Sequence, residues 1–440
     1  MSYTIYHFQR LRERFPSWVE LKEQLTSAEG GGLRIVQREG NKHAIIRYVK
    51  SGGGGAAAGA SQDNGLFRSV VWDTERNAPV CMAPAKSQAG LPLSPNPVVE
   101  DFVDGVMVNV FTDASAPENI QVTTRTVLGG STGYYSDTTF SQMFNEALAA
   151  SALKGRGELS AALNGIIGQV PGAVGAFASF VLQHPQHRVV AKVVTPALFC
   201  IHVGTVNEDG VIELSERPAN WPEGLARLQV PTYRTDRLFQ GEQDIKDFLL
   251  KLAVQRGWRW QGLVFKDGLG GRWKLRTPTY MMMRELRGSE ATMSARFLRL
   301  RAEKKVKEYL THYGEDRGQM WELEKRLHKR TEDVYAAYID VHKAHTVAFK
   351  DLPAEYKPAV YLLHLKWRDE LRGRGFKVRM QNAVEVVNAL KPFEQERLIE
   401  AAPYVPVAGA APTASAEPTA SAEPTSTAEE LGTAVGPAAE

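Results

Sequence analysis

Apolar and polar side chains alternate through roughly the first 280 residues, in short segments separated by Gly, Pro, Asn and Asp. Alternation of period two is typical of strands that bury one face, and the separating residues favour turns. Strands are therefore expected at residues 33–36, 43–49, 66–73, 79–83, 120–127 and 198–206, with two more inside 177–194. Residues 262–266 and 272–276 should form a hairpin around Asp267 and Gly268.

A period of three to four residues marks the helices. Before residue 280 it covers 1–28, 140–152 and 244–256, and from residue 294 onward it dominates. Further helices are expected at 357–371 and 378–390. The pattern predicts an α+β fold, in which an antiparallel-sheet domain is followed by an all-α C-terminal domain.

These periods divide the chain into domains at 1–283 and 284–402 and a tail at 403–440. The tail repeats Pro-Thr-Ala-Ser-Ala-Glu and has too few large apolar side chains to offset its chain entropy, so it should be disordered. Residues 51–65 are rich in Gly, Ala and Ser, which predicts a mobile surface loop. A phosphate-binding glycine loop is less favoured there, because the Gly-Lys-Ser/Thr ending is missing.

The stretch VEDFVDGVMVNVF at 99–111 stands at the centre of this pattern. Asp104 and Gly105 predict a turn that leads into a strand, and the turn is favourable whatever chemistry lies nearby.

Composition limits the classes of protein to which the chain can belong. The 440 residues are 43% hydrophobic and 23% charged, with a net charge of +3, as in ordinary globular proteins. The two cysteines, Cys81 and Cys200, lie in apolar runs and are expected to be buried thiols, not disulfide or zinc ligands. No run approaches the roughly 20 apolar residues of a membrane span, and no signal core opens the chain. We therefore expect an intracellular protein, cytoplasmic or in a viral factory, with no membrane partner.

Charge is unevenly distributed. Residues 284–400 hold 24 Lys and Arg against 19 Asp and Glu, while the last 40 residues hold five Glu and no basic residue. Two basic clusters stand near aromatic residues, which would suit an RNA backbone and its bases. Their members are Arg296, Arg299, Arg301, Lys304, Lys305 and Lys307 in the first, and Arg368, Arg372, Arg374, Lys377 and Arg379 in the second. Ordinary charged helix faces explain them equally well.

Several short motifs follow one another along the sheet-rich domain. Phe102-Val103-Asp104-Gly105 comes first, and SFVLQHPQHRVV at 179–190, QGLVFKDG at 261–268 and WKLR at 273–276 follow, with Tyr280 beyond. Their order resembles that of the phage-type RNA ligases, within the covalent nucleotidyltransferases, and more closely their divergent relatives in large DNA viruses. The resemblance covers residues from about 66 to 280.

The resemblance implies a site that uses ATP and Mg²⁺ to join RNA ends through a lysine-bound nucleotide. It gives Arg125, Lys266, Lys274 and Arg276 the places of phosphate-binding residues. It also gives Lys86 the place of an upstream lysine that handles substrate. A cationic surround of this kind favours a deprotonated lysine nucleophile and stabilises a triphosphate.

The remaining motif positions depart from the family. Phe102 stands where the family has its nucleophilic lysine, and a phenylalanine has no atom that could take a nucleotide. Val181 and Gln261 stand where the family has glutamates, which weakens any Mg²⁺ site because neither side chain is an anionic oxygen ligand. Three such departures together predict altered or lost catalysis.

Simpler explanations exist for the same residues. Lys266, Lys274 and Arg276 could form the solvated face of a hairpin, and Arg125 could be a surface ion-pair partner. Lys86 follows a proline in a loop, where a lysine without function is common. His184 and His187 could bind a metal, but no Cys or third His has ligand spacing, so no metal site is predicted.

Three functions remain open on the sequence. The first is a divergent RNA ligase whose nucleophile has moved, with Lys86 as the nearest candidate. The second is a non-catalytic protein that keeps the ligase fold and binds RNA or a nucleotide. The third is a structural or partner-binding protein of a viral particle or factory.

Overall fold

The computed structural model describes residues 2–407, apart from 50–61, 93–96, 114–115, 134–136, 217, 234–238 and 240. Two compact units form, Met1–Arg317 and Gly318–Glu440. The domain boundary expected after residue 283 stays a prediction about independent folding. Residues 408–440 of the expected tail and 51–61 of the expected loop lie outside the described residues, while Gln62–Leu66 forms a short 3-10 turn.

All strands of the described chain belong to the first unit. They are β1 (Ser2–Ile5), β2 (Arg34–Gln37), β3 (His43–Arg47), β4 (Val70–Asp73), β5 (Ala78–Met82), β6 (Val98–Asp101), β7 (Val106–Asp113), β8 (Ala116–Thr124), β9 (Ala173–Gln183), β10 (Ala197–Asn207), β11 (Ile212–Ser215), β12 (Thr232–Tyr233), β13 (Gly262–Lys266) and β14 (Arg272–Arg276).

These strands form three sheets in which every strand pairing is antiparallel. The six-stranded sheet has the order β1-β11-β10-β9-β7-β8. The cleft sheet has the order β12-β6-β13-β14, and the N-terminal sheet has the order β2-β3-β4-β5. The expected hairpin is confirmed as β13 and β14, with Val264 opposite Lys274 and Lys266 opposite Arg272.

Helices cover the outer faces of the sheets and make up the second unit. They are α1 (His7–Arg14), α2 (Trp18–Thr26), α3 (Phe140–Ala149), α4 (Arg156–Ile167), α5 (Glu223–Ala226), α6 (Glu242–Arg256), α7 (Pro278–Arg287), α8 (Met293–Ala302), α9 (Val306–His312), α10 (Arg317–His342), α11 (Lys357–Lys366), α12 (Met380–Ala389) and α13 (Pro392–Glu400). Both parts of the predicted α+β fold class, antiparallel sheets and a helical C-terminal region, are confirmed.

Several apolar cores hold the first unit together. One side of the six-stranded sheet packs on α3 and α4 through residues such as Val108, Phe144 and Leu163. Its other side shares a core with the N-terminal sheet and α1, and the cleft sheet packs on α6. Cys81 and Cys200 are buried free thiols, as expected, and burial raises the pKa of both.

The helix expected over residues 1–28 is wrong in two respects. Ser2–Ile5 is a strand that pairs with β11, and the rest is two helices. Pro16 lacks a backbone N–H and cannot continue the first helix. Ser17 then caps the second, accepting from the Glu20 amide while the Glu20 carboxylate accepts from the Ser17 amide.

The two strands expected within 177–194 are also only half correct. Strand β9 ends at Gln183, and residues 188–196 form no strand. The amides of Val190 and Ala191 donate to a side chain, Asp104, instead of joining a strand ladder. The apolar run after His187 is therefore a loop fixed by a distant carboxylate.

Candidate functional site

Residues 102–105 carry the chain from the cleft sheet to the six-stranded sheet, because β6 belongs to the first and β7 to the second. We call these four residues the joint. The Phe102 amide donates to the Gly262 carbonyl over 2.9 Å, which fixes the start of the joint on β13. In place of the turn expected before β7, the chain has a bend at Gly105, where the two sheets connect.

Asp104 ties the joint to two other segments. Its Oδ2 accepts from the amides of Val190 at 2.9 Å and Ala191 at 3.0 Å, and its Oδ1 accepts from the Tyr280 hydroxyl at 2.6 Å. Burial and, next, the Asp104 charge raise the pKa of Tyr280, which keeps its hydroxyl a donor. The carboxylate is thus fully committed to these hydrogen bonds.

Gly105 allows the joint to lie against β9. A Cβ atom here would lie 2.4 Å from the Leu182 carbonyl oxygen and 2.7 Å from Cγ1 of Val181. Any larger residue would push the joint away from the six-stranded sheet.

A cleft of about 350 Å³ opens over the joint. Met107, Val181 and Ile201 of the six-stranded sheet line one side, and the β13–β14 hairpin lines the other. Alternate residues of a strand share a face, so β14 presents three cations in a row. The cations that line the cleft are Arg68, Arg272, Lys274, Arg276 and Arg284.

Phe102 forms part of the cleft wall and faces two of these cations. The Lys274 Nζ lies 5.2 Å and the Arg276 Cζ 4.8 Å from the centre of its ring. Both distances fall within the range of cation–π attraction. The position that the family gives to a nucleophile therefore holds an aromatic ring beside the predicted phosphate-binding residues.

Gln261 and Val181 complete this part of the wall. With its amide oriented to satisfy both ends, Gln261 donates to the Val103 carbonyl at 3.2 Å and accepts from Nε of Arg276 at 3.1 Å. Val181 packs with Ile201 and Val230. Gln261 thus holds Arg276 in place as a neutral group, while Val181 gives the cleft an apolar floor.

Lys266 lies deeper than the other hairpin cations. Its Nζ is 3.0 Å from the Glu100 carboxylate and 3.8 Å from Glu216, and its side chain is 1% exposed. It also donates to the Ile201 carbonyl at 3.3 Å. Carboxylates therefore hold this ammonium already, and its role as a phosphate ligand stays a prediction.

Arg272 is buried beside Lys266 without full compensation. Its Nε and Nη1 have no hydrogen-bond partner among the described residues, although only 6% of the residue is exposed to water. Burial lowers the pKa of Arg272, and burial with the nearby Arg272 charge lowers the pKa of Arg68 to about 10. Both groups stay charged at neutral pH, so the cleft has excess positive charge.

Lys86 and Arg125 gather at a neighbouring place, around Tyr48. The Lys86 Nζ lies 5.7 Å and the Arg125 Cζ 5.0 Å from the centre of that ring. Arg125 also donates to the carbonyls of Arg68 at 3.2 Å and Tyr48 at 3.3 Å. Apart from Lys266, the predicted cations thus form two groups, one at Phe102 and one at Tyr48, and Arg68 lines the cavities at both.

The carboxylates of the cleft are also committed. Glu100 is paired with Lys266, and Asp104 accepts the hydrogen bonds described above for the joint. Asp101 accepts from the Tyr233 hydroxyl at 2.6 Å and from Trp260 Nε1 at 2.9 Å. Within the described ranges no three His, Cys, Asp or Glu are placed to hold a metal ion. His184 bonds Glu146 at 2.9 Å and accepts from the Gln186 amide at 3.2 Å.

Across the described part of the chain, no helix combines the length and apolarity that crossing a bilayer requires.

The first basic cluster lies in the first unit and is largely paired. Arg296 is 1% exposed, with Nη1 3.9 Å from Asp316 and Nε 3.7 Å from Glu290. Arg299 lies 2.5 Å from Glu290 and 3.2 Å from Glu303. These two arginines stabilise the fold and are not available to a ligand.

The second basic cluster lies in the second unit and is exposed. Arg368 pairs with Asp369 at 2.6 Å, and Arg372 lies over Trp367 at 5.5 Å. Phe376, between the basic residues, is 57% exposed. Four members have no carboxylate within ion-pair distance among the described residues: Arg372, Arg374, Lys377 and Arg379.

Three cations of the cleft were missed from the sequence: Arg68, Arg272 and Arg284. The alternation of Arg272 with Lys274 and Arg276 was a usable signal, since all three must share a face. Arg68 and Arg284 come from a loop and a helix, and no local pattern places either of them beside β14.

No protein-family model and no curated protein matches this chain. Among solved structures, it is similar to an archaeal ATP-dependent RNA ligase, form 1, with a TM-score of 0.37 and 11% sequence identity over 87% of this chain and 88% of that one. A likeness of this degree assigns neither a family nor an activity.

Proposed function

We propose that this chain binds a nucleoside polyphosphate in the cleft without forming a lysine adduct, as a non-catalytic protein of the RNA ligase type that also binds RNA. The observation that carries the proposal is a row of cations, Arg272, Lys274 and Arg276, at the cleft. The last two lie over the Phe102 ring, which has no nucleophilic atom. Phosphate oxygens would neutralise the row, and charge-assisted hydrogen bonds of this kind are the stronger ones.

The shape of the cleft supports a nucleotide over a bare anion. Met107, Val181 and Ile201 give the cleft apolar surface for a nucleoside in addition to its cations. Mg²⁺ would be bound by the phosphates of the nucleotide. The nearby carboxylates Glu100, Asp101 and Asp104 already accept hydrogen bonds from other residues.

The positions of the lysines support binding without covalent chemistry. Phe102 cannot attack an α-phosphate, and Lys266 is enclosed by Glu100 and Glu216. Lys86 stands over Tyr48 and not over Phe102. RNA binding finds its support in the exposed second basic cluster, whose charge suits a phosphate backbone.

Calorimetric titration with ATP, with and without Mg²⁺, tests the proposal. We expect binding that weakens as salt rises, since the cations are partly open to solvent. Lys274→Ala should weaken binding about tenfold or more, the loss that follows when a hydrogen bond to a charged group is removed. Lys251→Ala, an exposed lysine on α6 away from the cleft, serves as the matched control.

Incubation with α-labelled ATP and Mg²⁺ tests the absence of covalent chemistry. We expect no labelled protein after denaturation. A label that Lys86→Ala abolishes would establish the ligase with a relocated nucleophile. Failure to bind ATP or RNA at low salt, together with co-purification of one protein, would favour the structural or partner-binding alternative.

A further inference from the structure

We infer that a second pocket beside the cleft binds the base of one nucleotide in single-stranded RNA. We call it the side pocket. It has a volume of about 490 Å³ and shares Arg68, Val106 and Met107 with the cleft. The inference rests on the proposed function for the phosphate site next to it.

The walls of the side pocket suit a flat aromatic ring. Val106, Met107, Val127 and Phe140 supply apolar surface, and Thr124 and Thr126 supply backbone and hydroxyl groups at its edge. RNA-binding proteins hold unpaired bases in this way, with apolar or aromatic contact to the ring face and polar contact to the ring edge.

Asn109 gives the side pocket an unused hydrogen-bond donor. Its side chain is fully buried on β7 and lines the pocket, and its Nδ2 has no partner among the described residues. Native proteins pair nearly all buried polar atoms, so an unmet donor here points to a ligand acceptor. The carbonyl oxygens and ring nitrogens of nucleobases are acceptors of this kind.

A chain of hydrogen bonds fixes which end of the Asn109 amide is already occupied. His202 Nε2 is 3.1 Å from the Met82 carbonyl, which can only accept, so this nitrogen carries a proton. The same nitrogen is 2.9 Å from Ser179 Oγ, and the Ser179 hydroxyl then donates to Asn109 Oδ1 at 2.7 Å. The amide oxygen is therefore occupied, and the amide nitrogen is left for the base.

Charge continues from the cleft into the side pocket. Arg68 lines both spaces, and Arg125 lines the side pocket. Neither guanidinium has a carboxylate within 4.0 Å among the described residues, and both donate only to backbone carbonyls. A phosphate at Arg68 would connect a nucleotide in the cleft to one in the side pocket, which is the arrangement of successive nucleotides in a strand.

The test uses a 5′-phosphorylated RNA dinucleotide and its two abasic forms, which keep the phosphates and remove one base each. We expect the full dinucleotide to bind about tenfold more tightly than the abasic form that leaves the side pocket empty, a factor typical of one stacked base. Thr126→Trp, at an exposed position on the pocket rim, should fill the pocket and remove this difference.

Two variants make the result specific. Gln121→Trp, exposed on β8 outside the pocket, should keep the full preference and shows that a new tryptophan is harmless. Asn109→Asp keeps the acceptor for Ser179 but loses the donor, and should also abolish the preference.

The outcomes separate the two proposals. Equal binding of full and abasic dinucleotides, with ATP binding intact, would overturn the side pocket and leave the proposed function standing. Loss of ATP binding to the unaltered chain would overturn the proposed function and the side pocket with it.

Discussion

Arginines gather at two places in the first unit, around Asp316 and along the cleft, and the two places differ in their carboxylates. At Asp316, the Arg287 guanidinium lies 2.5 Å from the carboxylate, Arg296 approaches at 3.9 Å, and the Tyr309 hydroxyl also donates to it. In the cleft, Arg272 is as deeply buried but keeps two N–H groups unmatched. Arginine therefore has a carboxylate at ion-pair distance around Asp316, whereas in the cleft Glu216 and Glu100 act on Arg272 only from a longer distance.

Removal of the built-in anion should have the largest effect. Asp316→Ala would leave Arg287 and Arg296 buried without their shared carboxylate, and breaking a buried pair in this way costs about 3–5 kcal/mol. Urea unfolding should show the loss. Glu308→Ala, exposed on the neighbouring helix α9, should stay within about 0.5 kcal/mol of the parent chain. Equal effects of the two substitutions would contradict the comparison.

Removal of an unmatched cation should change binding more than stability. Arg272→Met should leave the free energy of unfolding within about 1 kcal/mol of the parent value, because the burial cost of this charge offsets its attraction to Glu216 and Glu100. ATP affinity should fall by about 1.5–3 kcal/mol, the range for hydrogen bonds to charged groups. Unfolding and titration of the same preparation measure both. A stability loss as large as that of Asp316→Ala would show that Arg272 belongs to the scaffold.

The buried pair of Lys266 and Glu216 should have an effect on stability of intermediate size, and this effect should depend on pH. Burial raises the pKa of Glu216 above its ordinary value of 4.5, with Lys266 opposing the rise. The folded state therefore holds this proton more tightly than the unfolded state, and the resulting stability is lost as pH rises through the folded-state pKa. Glu216→Gln should gain stability relative to the parent as pH rises from 4.5 toward neutrality. A difference that does not vary with pH would contradict this.

The exposed second basic cluster should give the smallest effects and none on stability. Arg374→Ala and Lys377→Ala should each reduce the slope of log affinity against log salt for single-stranded RNA by about 0.7, the contribution of one released counterion. Arg299→Ala, from the paired first cluster, should leave the slope unchanged. A reduced slope in that variant would show that the first cluster also meets RNA.

The sequence predicted most of the strands and the hairpin because their alternation is local, but it missed β1, β11 and β12. It also placed Lys274 and Arg276 together, since two residues on one strand face must share a site. It did not separate Lys266 from them, because the partners Glu100 and Glu216 come from distant positions in the chain.

Tertiary contacts explain the other differences. Val190 and Ala191 resemble strand residues in the sequence. Their backbone amides instead donate to Asp104, nearly 90 residues earlier. Arg68 reaches the cleft from a loop before β4, and Asn109 looks like any polar residue on a strand until its neighbours are known. Periodicity carries information about which face a residue occupies, but not about what lies opposite that face.

The joint at residues 102–105 also shows which positions are open to directed evolution. Asp104 is fixed by three hydrogen bonds, and a Cβ at Gly105 would lie 2.4 Å from the Leu182 carbonyl oxygen, so random changes there would be eliminated at the level of folding. Phe102 is hydrogen-bonded through its backbone amide, and its ring lies at the cleft beside Lys274 and Arg276. A saturation library at this one codon would keep the scaffold constant while varying the group presented to the cleft.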